Sequence, residues 1–268
     1  MHALLGRLAT QLGPQQGDAV ALTGGITNRN YRVRFGDADY VVRVPGTDTH
    51  LLGIDRAGER AACALAARLG IGPRVIDTPG DVLVTEFVAG RTLEAAEVRE
   101  RVAEVGAALR TLHDSGAGLP VAFDAIAVVE SYAAIARERG TEPPPQYEAA
   151  LVRARELATA YDPVPCHNDL LAANFLEDAQ GRLRIIDWEY AGMGDPDFDL
   201  GNVAVNNELD AEALRAAYGR PGVDLVKGRF LSDLREAMWG VVQSTVSDLD
   251  FDFDGYAAQH FARLHAAG

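Results

Sequence analysis

The pattern of hydrophobic and polar positions changes character near residue 90. Before it, "DAVALTGG", "NYRVRF" and "DYVVRVPG" alternate or run apolar in strand-sized pieces divided by Gly or Asp turns, and "FGDADY" joins the last two as a hairpin. A short amphipathic helix precedes them. "DRAGERAACALAARLG" has helical spacing, with Asp55 placed to cap its start and Gly70 to end it. "RVIDT" and "DVLVTEFV" read as two further strands about the turn "TPGD". This pattern predicts a small, mostly antiparallel sheet with one packed helix.

From Thr92 to Asp114 the period becomes helical, with Thr92 and Glu94 at a capped start. Further helices are expected at 124–138, 145–160, 210–218, 224–246 and 253–266. One β interruption, "NFLEDAQGRLRIIDWEY", reads as two strands about a Gly-bearing turn. The expectation is an α+β chain of two lobes: a sheet-rich N-lobe over residues 1–88 and a larger, mainly helical C-lobe over 89–268.

Composition narrows the function. No stretch approaches the roughly 20 apolar residues of a membrane span. The opening "MHALLGRLATQLG" carries Arg7 and lacks a secretory layout. Cys63 and Cys166 are too few for a disulfide framework and have no metal spacing. A cytoplasmic, soluble protein is expected, with no membrane partner. The formal charge of −14 argues against nucleic acid, which demands basic stripes. It suits either a cationic small molecule, through long-range attraction, or simple solubility. The only lysine, Lys227, is followed by Gly228, so no Walker A motif exists and any phosphate-binding cation must be arginine.

The polar residues of "CHNDLLAANFL" carry the chemistry. His167, Asp169 and Asn174 form H-x-D-x-x-x-x-N, and Asp187 closes the apolar strand "RLRIID" thirteen residues past Asn174. A hairpin brings its ends together, so Asn174 before it and Asp187 after it face one point. An amide oxygen and a carboxylate are ligands that Mg²⁺ accepts, with nucleotide phosphates and water completing the shell. Asp169 is then placed to take the proton of a hydroxyl attacking the γ-phosphate, as in the catalytic loop of kinases. Singly, Asp and Asn are ordinary turn formers and His167 an ordinary core histidine. The joint spacing selects a metal–phosphate site. "LTGGITNRNY" supplies glycines that let backbone N–H groups approach an anion. Arg43, in "YVVRVPG", is the candidate phosphate cation, with Glu59 on the following helix to hold it.

Together these stretches resemble the choline/ethanolamine kinase family, within the aminoglycoside-phosphotransferase-like division of the protein-kinase fold. "CHNDLLAANFL" is similar to that family's H-N-D-L-x-x-x-N loop, and "IIDWEYAGMGDPDFDLGN" to its D-F/W-E-Y-A segment and following F-D-L-G-N. "GGITNRNYRV" and "YVVRVPG" resemble its nucleotide loop and arginine-bearing strand, and "VTEFVAGRTL" its adenine-holding hinge. "MWGVVQSTVSDLDFDFDGYAAQHF" resembles its acceptor segment. The resemblance implies Asp169 as base, Asn174 and Asp187 as magnesium ligands and Glu189 as a further acid near the metal. It implies Thr27 and Asn28 beneath the phosphate loop, Arg43 on the phosphates, and Glu86, Phe87 and Val88 holding adenine. His167 and Asp199 would support the catalytic loop. Tyr190, Trp239, Phe251 and Tyr256 would form an aromatic cage for the amine. One departure is plain: the family often has a second tryptophan three residues before Trp239, where this chain has Glu236.

The resulting expectation is an ATP- and Mg²⁺-dependent kinase of a cationic amino alcohol, with choline as the leading acceptor. Ethanolamine, thiamine or an aminoglycoside are the alternatives within the fold, and a homodimer is left open. The reading from another class, a nucleotide-binding pseudokinase module, is opposed by the presence of the base and both metal ligands.

Overall fold

The computed structural model describes residues 2–22, 28–46, 52–76, 82–247 and 249–266. Five antiparallel strands build the first sheet: β1 (Gln15–Ala21), β2 (Asn28–Phe35), β3 (Ala38–Pro45), β4 (Val75–Ile76) and β5 (Leu83–Glu86), in the order β1-β2-β3-β5-β4. Phe35 pairs with Ala38, so Gly36 and Asp37 make a two-residue turn, and Gly36 takes the positive φ of 55° that such turns demand. Along β2 the period-two alternation works as read: Val33 and Phe35 are buried while Arg32 and Arg34 are exposed. The inner face packs Val33, Phe35, Val42 and Val84 against Leu5 and Leu8 of α1 (His2–Leu12). Helix α2 (Arg56–Arg68) begins where Asp55 accepts the Gly58 N–H at 2.7 Å, and the left-handed Gly70 follows its end.

The remainder is mainly helical. The stretch expected as one helix from Thr92 is three elements: β6 (Gly90–Thr92), α3 (Ala95–Glu100) and α4 (Val102–His113). Thr92 ends the strand, and Glu94 caps α3, its N–H donating to Glu97 at 2.9 Å. Arg101, at φ −100° and ψ 22°, breaks the helix in two. Helices α5 (Ala125–Glu138) and α6 (Gln146–Leu157) and strand β7 (Val164–Cys166) follow. The hairpin of β8 (Phe175–Asp178) and β9 (Leu183–Ile185) continues with β6 at its edge, and β10 (Gly192–Gly194) pairs with β7. Helices α7 (Pro196–Asn207), α8 (Ala211–Tyr218), α9 (Leu225–Val246) and α10 (Phe253–Ala266) complete the fold.

Helix α9 is the axis of this part, with α5, α7 and α10 packed on it. Burial runs almost around it, from Leu225 through Leu234, Ala237, Met238 and Val242. At the crossing of α7 with α9, Gly201 lies on Gly228 so closely that a Cβ on Gly201 would collide with the Gly228 backbone. The two main chains therefore meet without side chains between them. Among the described residues, no helix is long and apolar enough to cross a membrane.

Candidate active site

The loop after β7 is held from below by α7. Asp199, fully buried, accepts the His167 N–H at 3.0 Å and the Asn168 N–H at 2.7 Å, and its Oδ2 also meets His113 Nε2 at 3.0 Å. Burial pushes the Asp199 carboxyl up, but the contact with His113 and the neighbouring N–H donors outweigh it and hold it below the usual range. Asn168 adopts a left-handed φ of 67°, and its side-chain amide donates to the Tyr190 carbonyl at 3.0 Å. The His167 Nε2 lies 2.9 Å from the Ile186 carbonyl, which can only accept, so Nε2 carries the proton. Its Nδ1 is then free to accept the Asp169 N–H at 3.2 Å. Burial lowers the His167 pKa and so favours this neutral tautomer. Further along, Asn202 accepts the Leu170 N–H at 2.6 Å and Asn207 donates to the Leu170 carbonyl at 2.8 Å. Sequence reading named His167 and Asp199 as supports and missed His113, Asn202 and Asn207. Asn202, the last residue of "FDLGN", was the one within reach of the motif.

The hairpin brings Asn174 and Asp187 together. Asn174 ends a 3-10 turn (Ala172–Asn174), and its carbonyl accepts the Ile186 N–H at 2.9 Å, one residue before Asp187. Its Nδ2 donates to the Asp169 carbonyl at 2.8 Å, which leaves the amide oxygen as the ligand atom. Asp187 sits at a positive φ of 65°, uncommon for a residue with a side chain. Asp178 locks the hairpin itself. It accepts the N–H groups of Gln180 and Arg182 at 3.0 and 2.9 Å and the guanidinium Nε atoms of Arg182 and Arg184 at 2.8 and 3.2 Å.

The first sheet supplies the cation. Arg43 Nη1 donates to Glu59 and Asp187, each at 2.6 Å, and its Nε to Asn30 at 3.2 Å. Burial alone would lower the Arg43 pKa, but Asp187, Glu59 and Glu189 raise it further. Glu59 also pairs with Arg56 at 2.7 Å, and Glu189 accepts the Asn28 amide at 2.8 Å. A cavity of about 500 Å³ opens here, lined by Val41, Leu83, Phe87, Val88 and Trp188, with Arg43, Asn174 and Asp187 among its polar walls. Glu86 lines it too; the Phe87 N–H is spent on the Asp39 carbonyl at 2.9 Å. Thr27 lies outside the described residues.

Beyond Asp169, four rings gather. Trp239 stands 5.7 Å from Tyr256 and its Nε1 donates to the Tyr190 hydroxyl at 3.3 Å; Phe251, half exposed, lies 6.0 Å from Tyr256. Sequence reading named Glu236 but missed the arginine beside it. Arg235 and Glu236, both buried on α9, sit between Asp169 and the rings. Arg235 Nη1 donates to Glu236 at 2.7 Å and to Asp169 at 3.2 Å. Burial pushes the Asp169 carboxyl up to about 7; Arg235 opposes this, while Glu236 and Asp187 add to it. Arg235 lies one helical turn before Trp239 and so shares its face, a spacing visible in the sequence.

This arrangement can deprotonate a hydroxyl beside a nucleotide-sized cleft. The chain matches the model of the phosphotransferase enzyme family over residues 18–231. It belongs to that family. The phosphotransferase is 30% identical to human ethanolamine kinase 2, the match covering 96% of this chain and 78% of that one. Among solved structures, a choline/ethanolamine kinase family protein from Mesorhizobium loti superposes with a TM-score of 0.79 at 31% identity, covering 100% of this chain and 95% of that one. Choline kinase LicA from Streptococcus pneumoniae, at 24% identity, shares the fold with a TM-score of 0.82 and covers 100% and 98% of the two chains.

Proposed function

We propose that this phosphotransferase uses MgATP to phosphorylate the hydroxyl of a cationic amino alcohol. The carrying observation is the convergence of Asp169, Asn174 and Asp187 between the nucleotide-sized cleft and the ring cluster. The oxygen donors of Asn174 and Asp187, with the acid Glu189 nearby, suit a hard divalent cation such as Mg²⁺. Bound there, magnesium would neutralise charge on the phosphates being transferred. Arg43 would hold those phosphates, kept in place by Glu59, with Asn28 at the loop above. The segment Glu86 to Val88 would take adenine at the far wall of the cleft.

Asp169 would accept the proton of the attacking hydroxyl. A carboxylate raised toward neutrality is a better base for this than an ordinary one, because the base works best when its pKa lies near ambient pH. The amine end of the acceptor would lie among Tyr190, Trp239, Phe251 and Tyr256. Choline is the acceptor that the ring cluster alone suggests, since a methylated ammonium is held by aromatic faces. The names of the relatives, an ethanolamine kinase, a choline/ethanolamine kinase family protein and a choline kinase, agree with the amino-alcohol class. The test is a screen with MgATP over choline, ethanolamine, thiamine and an aminoglycoside. Turnover of choline or ethanolamine supports the reading; turnover of the aminoglycoside alone, or of none, overturns it.

A further inference from the structure

The ring cluster already holds a cation, and the chain supplies it. Arg235 is 1% exposed, and its guanidinium carbon lies 4.6 Å from the centroid of the Tyr190 ring. Its Nη1 bonds Glu236 Oε1 at 2.7 Å and Asp169 Oδ1 at 3.2 Å. The other oxygen of Glu236 accepts the Tyr256 hydroxyl at 2.7 Å, and Asn202 Nδ2 reaches Oε1 at 3.1 Å. The face of Tyr190 is therefore covered, and the negative charge of Glu236 is neutralised from within.

A guanidinium fixed for folding alone would have its donors satisfied, because burying an unpaired N–H is costly. Here Nε and Nη2 of Arg235 are both buried without a hydrogen-bond partner. The group sits against the base and the amine's ring wall at once. A trimethylammonium entering this pocket loses the Tyr190 face, meets a like charge, and has no N–H with which to share the carboxylates. A primary ammonium is smaller and can donate to the remaining lone pairs of Glu236 and Asp169.

On the amino-alcohol reading, we infer that Arg235 is a specificity-determining residue, a built-in cation on Tyr190 that disfavours quaternary ammonium acceptors and selects a primary amine of the ethanolamine type. The contact withheld from choline is worth roughly 2- to 30-fold in affinity. The guanidinium both covers the ring and shares the carboxylates of Glu236 and Asp169, so the ratio between acceptors reads the two effects together.

The experiment measures kcat/KM of the full chain with MgATP for ethanolamine, its monomethyl and dimethyl derivatives, and choline. In the wild type kcat/KM should fall as methyl groups are added. In Arg235→Leu the choline-to-ethanolamine ratio should rise about tenfold or more, whereas Arg235→Lys should keep the wild-type order. Thermal unfolding checks that each variant folds; if Arg235→Leu does not, Arg235→Met keeps much of the stem packing and carries the same test. A wild-type preference for choline overturns the inference, as does an Arg235→Leu ratio within threefold of wild type. Loss of turnover by the same factor for every acceptor would mark Arg235 as a prop for Asp169 and also overturns it. If the wild type turns over none of the series, the amino-alcohol reading fails with it.

Discussion

Arg43 and Asp187 are separated by 144 residues and joined by a hydrogen bond of 2.6 Å. Through it the central strand of the first sheet touches the acid that follows the β8–β9 hairpin. The same nitrogen holds Glu59 on α2, so one guanidinium links sheet, helix and hairpin. Arg43→Ala should therefore weaken ATP far more than the acceptor alcohol. Arg43→Lys should recover part of the loss, because an ammonium keeps the charge without the planar fork. Titration of both ligands decides it; equal weakening of the two would reduce Arg43 to a structural role.

Asp169→Asn removes the proton acceptor and keeps the shape. Turnover should fall by roughly 10²- to 10⁴-fold, the usual contribution of a general base. ATP affinity should stay close to that of the wild type. Near-normal turnover in a folded variant would defeat the base assignment.

Asp199→Asn tests the support beneath the loop. An amide has one acceptor oxygen where the carboxylate uses both, on His113 and on the His167 and Asn168 N–H groups. Losing charge-assisted hydrogen bonds in a buried place should cost about 2–4 kcal/mol. Urea unfolding reads the stability and steady-state kinetics read kcat. A variant as stable and as active as the wild type would show that α7 does not hold the loop.

Asp178 gives a pH dependence. Burial would raise its carboxyl, but the donors of Arg182, Gln180 and Arg184 hold it at about 2, against an ordinary 3.8. The folded protein thus keeps this carboxylate ionised at pH values where the unfolded chain takes up a proton. Its stabilisation is whole above about pH 4 and is lost as the pH falls toward 2. Asp178→Asn should lower stability by about 2 kcal/mol at neutral pH, with a gap to the wild type that narrows on acidification below pH 4. A gap independent of pH would exclude the carboxylate as its source.

Much of this was legible before the structure. The β2–β3 hairpin follows from alternation and a Gly-bearing turn, and α2 from Asp55 and Gly70. The spacing of Asp169, Asn174 and Asp187 foretold their meeting, because a short hairpin permits little else. Helix α7 was not seen. Nearly all its residues, from Phe198 to Val205, are buried, so it lacks the polar face that makes a helix visible in a sequence. Arg235 was missed because arginine reads as a surface residue. Its burial makes sense only beside Glu236 and Asp169, and that proximity belongs to the tertiary fold.

The contact of Gly201 with Gly228 joins two parts that do different work. Helix α7 carries the residues from which the Asp169 loop hangs, while α9 carries Arg235, Glu236 and Trp239 two turns and more beyond the crossing. Bare main chain at the joint fixes the spacing of the two helices, and further along α9 the traffic between them is polar: Arg235 reaches Asp169, and Asn202 joins Leu170 to Glu236. A change of acceptor through Arg235 or Glu236 is therefore coupled to the base, and drift in the choice of alcohol must carry the phosphoryl chemistry with it.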